Sequence, residues 1–131
     1  MDCPADVFDL RVLVADDNAD AADSLAMLLT IKGYRPLVAY DGASALASAL
    51  AHLPQVAVLD LALPRLDGCV LARALRNTPG LEKLLLVVLT GHGREQDRQR
   101  CREAGFDHFL LKPAAPEDLL RLLPPPNGSK G

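Results

Sequence analysis

The 131-residue chain has no tryptophan, two tyrosines and three phenylalanines, so aromatic residues make up only 4% of it. So little aromatic surface argues against a flavin-binding module, and no Gly-rich phosphate loop follows the first apolar run. Cys3, Cys69 and Cys101 are odd in number and widely spaced. That pattern excludes a disulfide framework, offers no metal-ligand spacing, and fits reduced thiols in a cytoplasmic protein. No apolar stretch approaches the roughly 20 residues of a membrane span. The start, Met1-Asp2-Cys3-Pro4, lacks the basic head and apolar core of a signal peptide. Charge of one sign is scarce as well. The net is -3, which gives no global attraction to nucleic acid or to an anionic membrane. No basic recognition helix follows residue 123, so DNA contact is not expected. No internal repeat is present.

What the chain does have is apolar residues at 50% and charged residues at 24%, enough for one globular domain with a full core. Short apolar runs alternate with amphipathic segments, the pattern of an α/β fold with a parallel sheet. Strands are expected near 11–15, 35–39, 56–60, 84–89 and 108–111, and helices near 20–32, 42–51, 67–77, 94–104 and 116–123. Pro36 lies inside the second strand and has no N–H for a ladder, so that strand belongs at an edge. The doubly wound, flavodoxin-like strand order 2-1-3-4-5 places it there. Residues 1–8 form an N-terminal extension, 9–123 the domain, and 124–131 a flexible Pro/Gly-rich tail.

The helices have readable ends and faces. Asp20 is expected to cap the first, with Gly33 just past its end. Its apolar face is Ala21, Leu25, Leu28 and Leu29. The second follows Asp41-Gly42 and buries Ala45, Leu46, Ala49 and Leu50. The third follows Asp67-Gly68 and buries Val70, Leu71, Ala74 and Leu75. The fifth starts at Pro116 behind a poor cap, Ala115. The fourth is different: between Arg94 and Glu103 its only apolar residue is Cys101. A helix with so little apolar face is weakly anchored. It is expected to rely on pairs such as Glu95 with Arg98 or Gln99, or to serve as a mobile element on a partner-binding face.

Polar residues stand where four apolar runs stop: Asp16 and Asp17, Asp60, Thr90, and Lys112 before Pro113. Ligand sites of open parallel sheets form at the carboxyl ends of the strands. Right-handed crossovers make the ends of strands one and three neighbours, so three carboxylates meet. Crowded carboxylates repel unless a cation joins them. Mg2+, or the similar Mn2+, takes hard oxygen ligands and is often held by one or two carboxylates plus phosphate. A carboxylate beside such a metal is a nucleophile toward phosphorus. A lone Asp after a strand is usually a turn residue. It is the conjunction of all five at strand ends that points to metal-assisted phosphoryl chemistry.

These residues resemble a known family. The pieces are Val12-Leu13-Val14-Ala15-Asp16-Asp17-Asn18, Asp60-Leu61-Ala62-Leu63-Pro64-Arg65-Leu66-Asp67-Gly68, Leu89-Thr90-Gly91-His92, and Ala104-Gly105-Phe106-Asp107-His108-Phe109-Leu110-Leu111-Lys112-Pro113. Together they are similar to the response-regulator receiver domain of two-component signalling, over about residues 9–123. The resemblance implies that Asp60 is the phosphoacceptor and that Asp16 and Asp17 bind Mg2+, with the Ala62 carbonyl completing the protein ligands. It implies that Lys112 pairs with the phosphoryl group, that Thr90 reorients toward it, that Phe109 rotates inward as the aromatic switch, and that the Lys112–Pro113 peptide is cis. The partner would be a sensor histidine kinase or a histidine phosphotransfer protein. The output face would be helix 4, strand 5 and helix 5, toward a downstream protein or a second copy. The chain would be a free-standing regulator or the terminal receiver of a hybrid sensor kinase, with no enzymatic turnover beyond its own phosphoryl transfer and autodephosphorylation. Ala62 and His92 sit two residues beyond Asp60 and Thr90 and should tune the phosphoryl lifetime. The alternative is a metal-dependent phosphatase or phosphotransferase acting on a small molecule through an aspartyl phosphate. It would need a second carboxylate where Ala62 stands, and a cap insertion.

Overall fold

A computed structural model of the chain describes residues 10–64, 66–91 and 93–126. The order of elements is β1 (Arg11–Ala15), α1 (Ala19–Ile31), β2 (Arg35–Ala39), α2 (Gly42–His52), β3 (Val56–Asp60), α3 (Gly68–Arg76), β4 (Leu85–Thr90), α4 (Glu95–Ala104), β5 (His108–Leu111) and α5 (Pro116–Leu122). The strands form one five-stranded parallel sheet in the order β2-β1-β3-β4-β5. Pro36 lies opposite Val12 on the edge strand, where its missing N–H breaks no inner ladder.

Successive strand residues face opposite sides of the sheet, and here both sides are covered. Leu13, Ala15, Ala57, Leu59, Leu86 and Val88 face α2, α3 and α4. Val12, Val14, Val56, Val58 and Val87 face α1 and α5. This double burial is why the runs read as continuously apolar rather than alternating.

Leu29, Ala45, Ala49, Leu71 and Leu75 are buried as expected, but the helix faces match the expected ones only in part. Ala22, Ala26 and Leu29 are the buried residues of α1, while Ala21 is exposed and Leu25 and Leu28 are half-buried. In α2, Leu50 points to solvent, and in α3 Val70 does, whereas Gly42, Cys69 and Ala72 are buried. The reason is packing distance. The helices approach the sheet through small residues, and several larger side chains are displaced to the flanks. Asn18, not Asp20, caps α1: its side-chain oxygen accepts from the Ala21 N–H at 3.1 Å, and Asp20 falls in the first turn. Asp41 and Asp67 cap α2 and α3 in the same way. Neither α4 nor α5 has a side-chain cap bond.

The helix α4 buries only Cys101 and Ala104. Its pairs are Glu95 with Arg102 at 3.4 Å and Gln99 with Glu103 at 3.2 Å, so Glu95 reaches the second turn rather than Arg98 or Gln99. Its C-terminus is fixed by Arg76 of α3. That guanidinium donates to the carbonyls of Glu82, Leu84 and Gly105 and to Asp107 Oδ2, which itself accepts from the Leu86 N–H. Burial pushes the Cys101 thiol up to about 11, with Cys69 adding to it, so this thiol is a protonated core residue. At the foot of the sheet, Tyr34 donates its hydroxyl to the Pro124 carbonyl at 2.6 Å, and the Leu10 N–H donates to the Pro126 carbonyl at 2.9 Å. Residues 1–9, Arg65 and 127–131 lie outside the described residues.

One close approach ties this fold to the loop after β3. The Gly42 N–H donates to the Pro64 carbonyl at 3.0 Å, and a Cβ on Gly42 would lie 2.0 Å from the Leu66 carbonyl oxygen. Alanine is the better helix former by about 1 kcal/mol. Overpacking against backbone costs about 1–3 kcal/mol and wins. Gly42→Ala is therefore expected to destabilise the domain by up to about 2 kcal/mol in chemical denaturation. Gly91→Ala, where no atom lies within 4 Å, should leave the midpoint unchanged.

Candidate functional site

Two strand ends and one far side chain build the site. The strand β1 leaves the sheet at Asp16, whose N–H donates to the Ala39 carbonyl at 3.1 Å and whose Oδ1 accepts from the Asn18 N–H at 3.0 Å. The strand β3 ends at Asp60, whose Oδ1 accepts from the Ala62 N–H at 3.1 Å. Each aspartate thus spends one oxygen on a local turn. The other oxygens are bridged by a single cation. The Lys112 ammonium lies 3.1 Å from Asp16 Oδ2 and 3.0 Å from Asp60 Oδ2. The Lys112 backbone is anchored where its N–H donates to the Thr90 carbonyl at 2.7 Å. The peptide bond from Lys112 to Pro113 is cis.

Burial sets the electrostatics. Asp16 is 6% exposed and Asp60 half-buried, while Asp17 stands at the surface. Burial holds the Asp60 carboxyl above the ordinary carboxylate range, outweighing the Lys112 hydrogen bond and the Ala62 N–H, which lower it. Burial alone would lower Lys112, but its bonds to Asp60 and Asp16 prevail and its pKa is raised, so the ammonium stays charged. A carboxylate from each of Asp16, Asp17 and Asp60 offers an oxygen within 4.8 Å of the others. Three carboxylates against the one ammonium leave two negative charges in excess. A hard divalent cation fits this donor set, because it needs oxygen ligands and would relieve the charging cost that burial imposes on Asp60.

The remaining expected residues are arranged around this centre. Thr90 is buried at the end of β4. Ala62 is exposed in the turn after Asp60. His92 lies outside the described residues. Phe109 is not at the crevice but on β5, directly opposite Val88, with Leu111 opposite Thr90. Paired residues of neighbouring parallel strands face the same side, and so do residues two apart. Thr90 and Phe109 therefore share the face that α4 covers, two residues apart along adjoining strands.

Sequence reasoning placed Gly68 only as a helix start. A Cβ there would lie 2.7 Å from the Asp60 carbonyl, so the glycine lets α3 close against the strand that carries Asp60. The Asp-Gly pair was the available signal. It also missed a groove of about 610 Å³ between α1 and the segment 112–116. Val14, Val58 and Leu89 form its floor, and Asp16 and Lys112 stand at one end. No periodicity reports such a space, because its lining residues come from elements far apart in the chain.

With this geometry in hand, likeness to known proteins is specific. The sequence profile described as response regulator receiver domain matches residues 12–123. An uncharacterised 14.6 kDa protein of Leptolyngbya boryana is 38% identical over 114 residues, covering 87% of both chains. The response regulator MprA of Mycobacterium avium is 39% identical over 111 residues, which is 85% of this chain but 48% of that protein. The chain thus spans about half of MprA. Among solved structures, the chemotaxis response regulator CheY4 of Vibrio cholerae superposes with a TM-score of 0.81 at 28% identity, covering 86% of this chain and 93% of that one. The receiver domain of sensor histidine kinase PA1611 of Pseudomonas aeruginosa gives 0.81 at 29% identity, covering 92% and 99%, and holds a magnesium ion in its active site cleft.

Metal binding should register as stability. A ligand of the folded state at ten times its Kd adds about 1.4 kcal/mol. Mg2+ at that excess is expected to raise the unfolding midpoint of the wild-type chain in a thermal melt. Asp17→Asn should abolish the rise, and Asp118→Asn, far from the cluster in α5, should keep it.

Proposed function

This chain belongs to the response-regulator receiver family, a family of phosphoacceptor switches, and on that footing we propose that Asp60 is its phosphoacceptor. The single observation that carries this is the Lys112 ammonium held 3.0 Å from Asp60 and 3.1 Å from Asp16, with Asp17 alongside. An Asp60 oxygen attacks the phosphorus of a phosphohistidine. The O–P bond forms as the P–N bond breaks, and the imidazole leaves and takes up a proton. The donor is a sensor histidine kinase or a histidine phosphotransfer protein. The groove beside Asp16 and Lys112 leaves room for its approach.

Charge management decides the rate, since phosphoryl transfer asks mainly for positioning and neutralisation. Lys112 shifts from bridging two carboxylates to pairing with a phosphoryl oxygen. Asp16, Asp17, Asp60 and the Ala62 carbonyl would hold Mg2+ or Mn2+, which when bound neutralises further charge on the phosphoryl oxygens. The Thr90 hydroxyl turns to donate to the phosphoryl group, and Phe109 rotates into the space behind it. The readout is the face of α4, β5 and α5, presented to a downstream protein or to a second copy of the chain. Asp60 returns to its free state when water attacks the phosphoryl group, and Ala62 and His92, two residues beyond Asp60 and Thr90 in the chain, tune the lifetime.

The receiver is residues 9–123, with 1–8 an extension and 124–131 a tail. The setting is cytoplasmic, without contact to nucleic acid or membrane. Among the described residues, no helix is long and apolar enough to cross a membrane.

The test is intact-mass measurement after incubation with Mg2+ and acetyl phosphate. Wild type is expected to gain one phosphoryl group, Asp60→Asn none, and Lys112→Ala at least tenfold less adduct at equal time, about the 1.4 kcal/mol or more of one lost charge-assisted bond. Asp118→Asn should match wild type. A wild-type chain that stays unmodified with every small phosphodonor overturns the proposal.

A further inference from the structure

The arginines of α4 have separate partners. Arg100 reaches Asp67 at 3.6 Å and Arg102 reaches Glu95 at 3.4 Å. Arg98 does neither. Its guanidinium carbon lies 4.7 Å from the centroid of the Phe109 ring. Among the described residues it has no carboxylate partner in ion-pair range. Arg98, itself exposed, precedes Cys101 by three residues and so lies beside the stripe through which α4 touches the rest of the domain. Where most helices would place an aliphatic side chain, this one lays a cation over an aromatic ring. A cavity of about 50 Å³ lined by Arg98, Cys101, Phe106 and Phe109 lies beside the contact, so the ring is not locked by close packing there.

Phe109 has no hydroxyl, so no hydrogen bond to water or protein can hold its ring at the partly buried position seen here, against the core beneath α4. Apolar burial favours moving it inward. The Arg98 contact opposes that, because a guanidinium over the ring face is attracted to it and its aliphatic stem covers apolar surface.

We propose that Arg98 is a positioning residue that holds the Phe109 ring in the partly exposed position seen here and so raises the threshold for phosphorylation at Asp60. The inference rests on the reading of Phe109 and Thr90 as coupled to that site. Inward rotation of the ring breaks the contact and releases Arg98 from β5, loosening a helix that otherwise buries only Cys101 and Ala104. The coupling is reciprocal: whatever stabilises the phosphorylated site weakens the clamp, and removing the clamp strengthens binding at the site by the same factor. One exposed contact of this type is worth about a two- to fivefold shift in the equilibrium.

The experiment titrates Mg2+-loaded protein with beryllofluoride, a phosphoryl mimic, by calorimetry. Arg98→Ala is expected to bind it about two- to fivefold more tightly than wild type, and Arg98→Lys to fall between them. In a Phe109→Leu background, Arg98→Ala should change nothing, since the ring is gone. Equal affinity in wild type and Arg98→Ala overturns the proposal. An equal gain in the Phe109→Leu background also overturns it, because the effect would then come from the charge of α4 and not from the ring. A second readout stands apart from the phosphoacceptor reading. In the metal-free chain the Arg98 δ-protons should show an upfield ring-current shift that Phe109→Leu removes; absence of that shift refutes the clamp. Failure of wild type to bind beryllofluoride at all would sink the phosphoacceptor reading instead, leaving the clamp to stand or fall on the ring-current shift.

Discussion

One ammonium between a buried and a half-buried carboxylate is the interaction on which the rest of this molecule depends. Asp16, Asp60 and Lys112 are separated by up to 96 positions in the chain, yet Lys112 reaches both aspartates within 3.1 Å. Two half-desolvated carboxylates side by side are unfavourable, and removing the cation would leave them uncompensated. The arrangement persists because the sheet requires it. Neighbouring β1 and β3 set the aspartates side by side, and β4 anchors the Lys112 backbone through the Thr90 carbonyl. The same crowding that costs stability makes the centre receptive to a divalent cation and to a phosphoryl group. Function here is a charge imbalance that the fold maintains.

Around that centre, rigidity and looseness are distributed unevenly. The loop after β3 is wedged by backbone contacts that only glycine permits, at Gly42 and at Gly68. The α3 end of α4 is fixed by Arg76, whose hydrogen bonds gather the loop before β4 and the turn before β5. The body of α4, by contrast, has two buried residues, no side-chain cap and one arginine spread over Phe109. The part that must hold ligands is braced by backbone. The part that would report their arrival is held by contacts worth little individually.

Much of this was legible beforehand. Strand positions, the edge placement of β2 from Pro36, and the gathering of Asp16, Asp17, Asp60 and Lys112 all follow from local patterns and one topological rule. The misses are local. Ala21, Leu50 and Val70 are expected in the core, whereas Leu50 and Val70 point to solvent and α1 and α3 turn Ala22 and Ala72 to the core instead. Asp20 was taken as the cap of α1 because it precedes an apolar run, while Asn18 bonds the first turn. Glu95 was paired by spacing with Arg98 or Gln99, whereas it meets Arg102 one turn further on.

The strand-end carboxylates and the lysine are set by the sequence itself, because each stands where an apolar run stops. Which oxygen of each aspartate turns inward, how far the small-residue faces let the helices settle, and what lies over Phe109 were decided only by the tertiary structure. The physical reason is range. A run of apolar residues reports its own burial, but the partner of Arg98 is a ring on another element, and no local pattern distinguishes it from a solvated arginine.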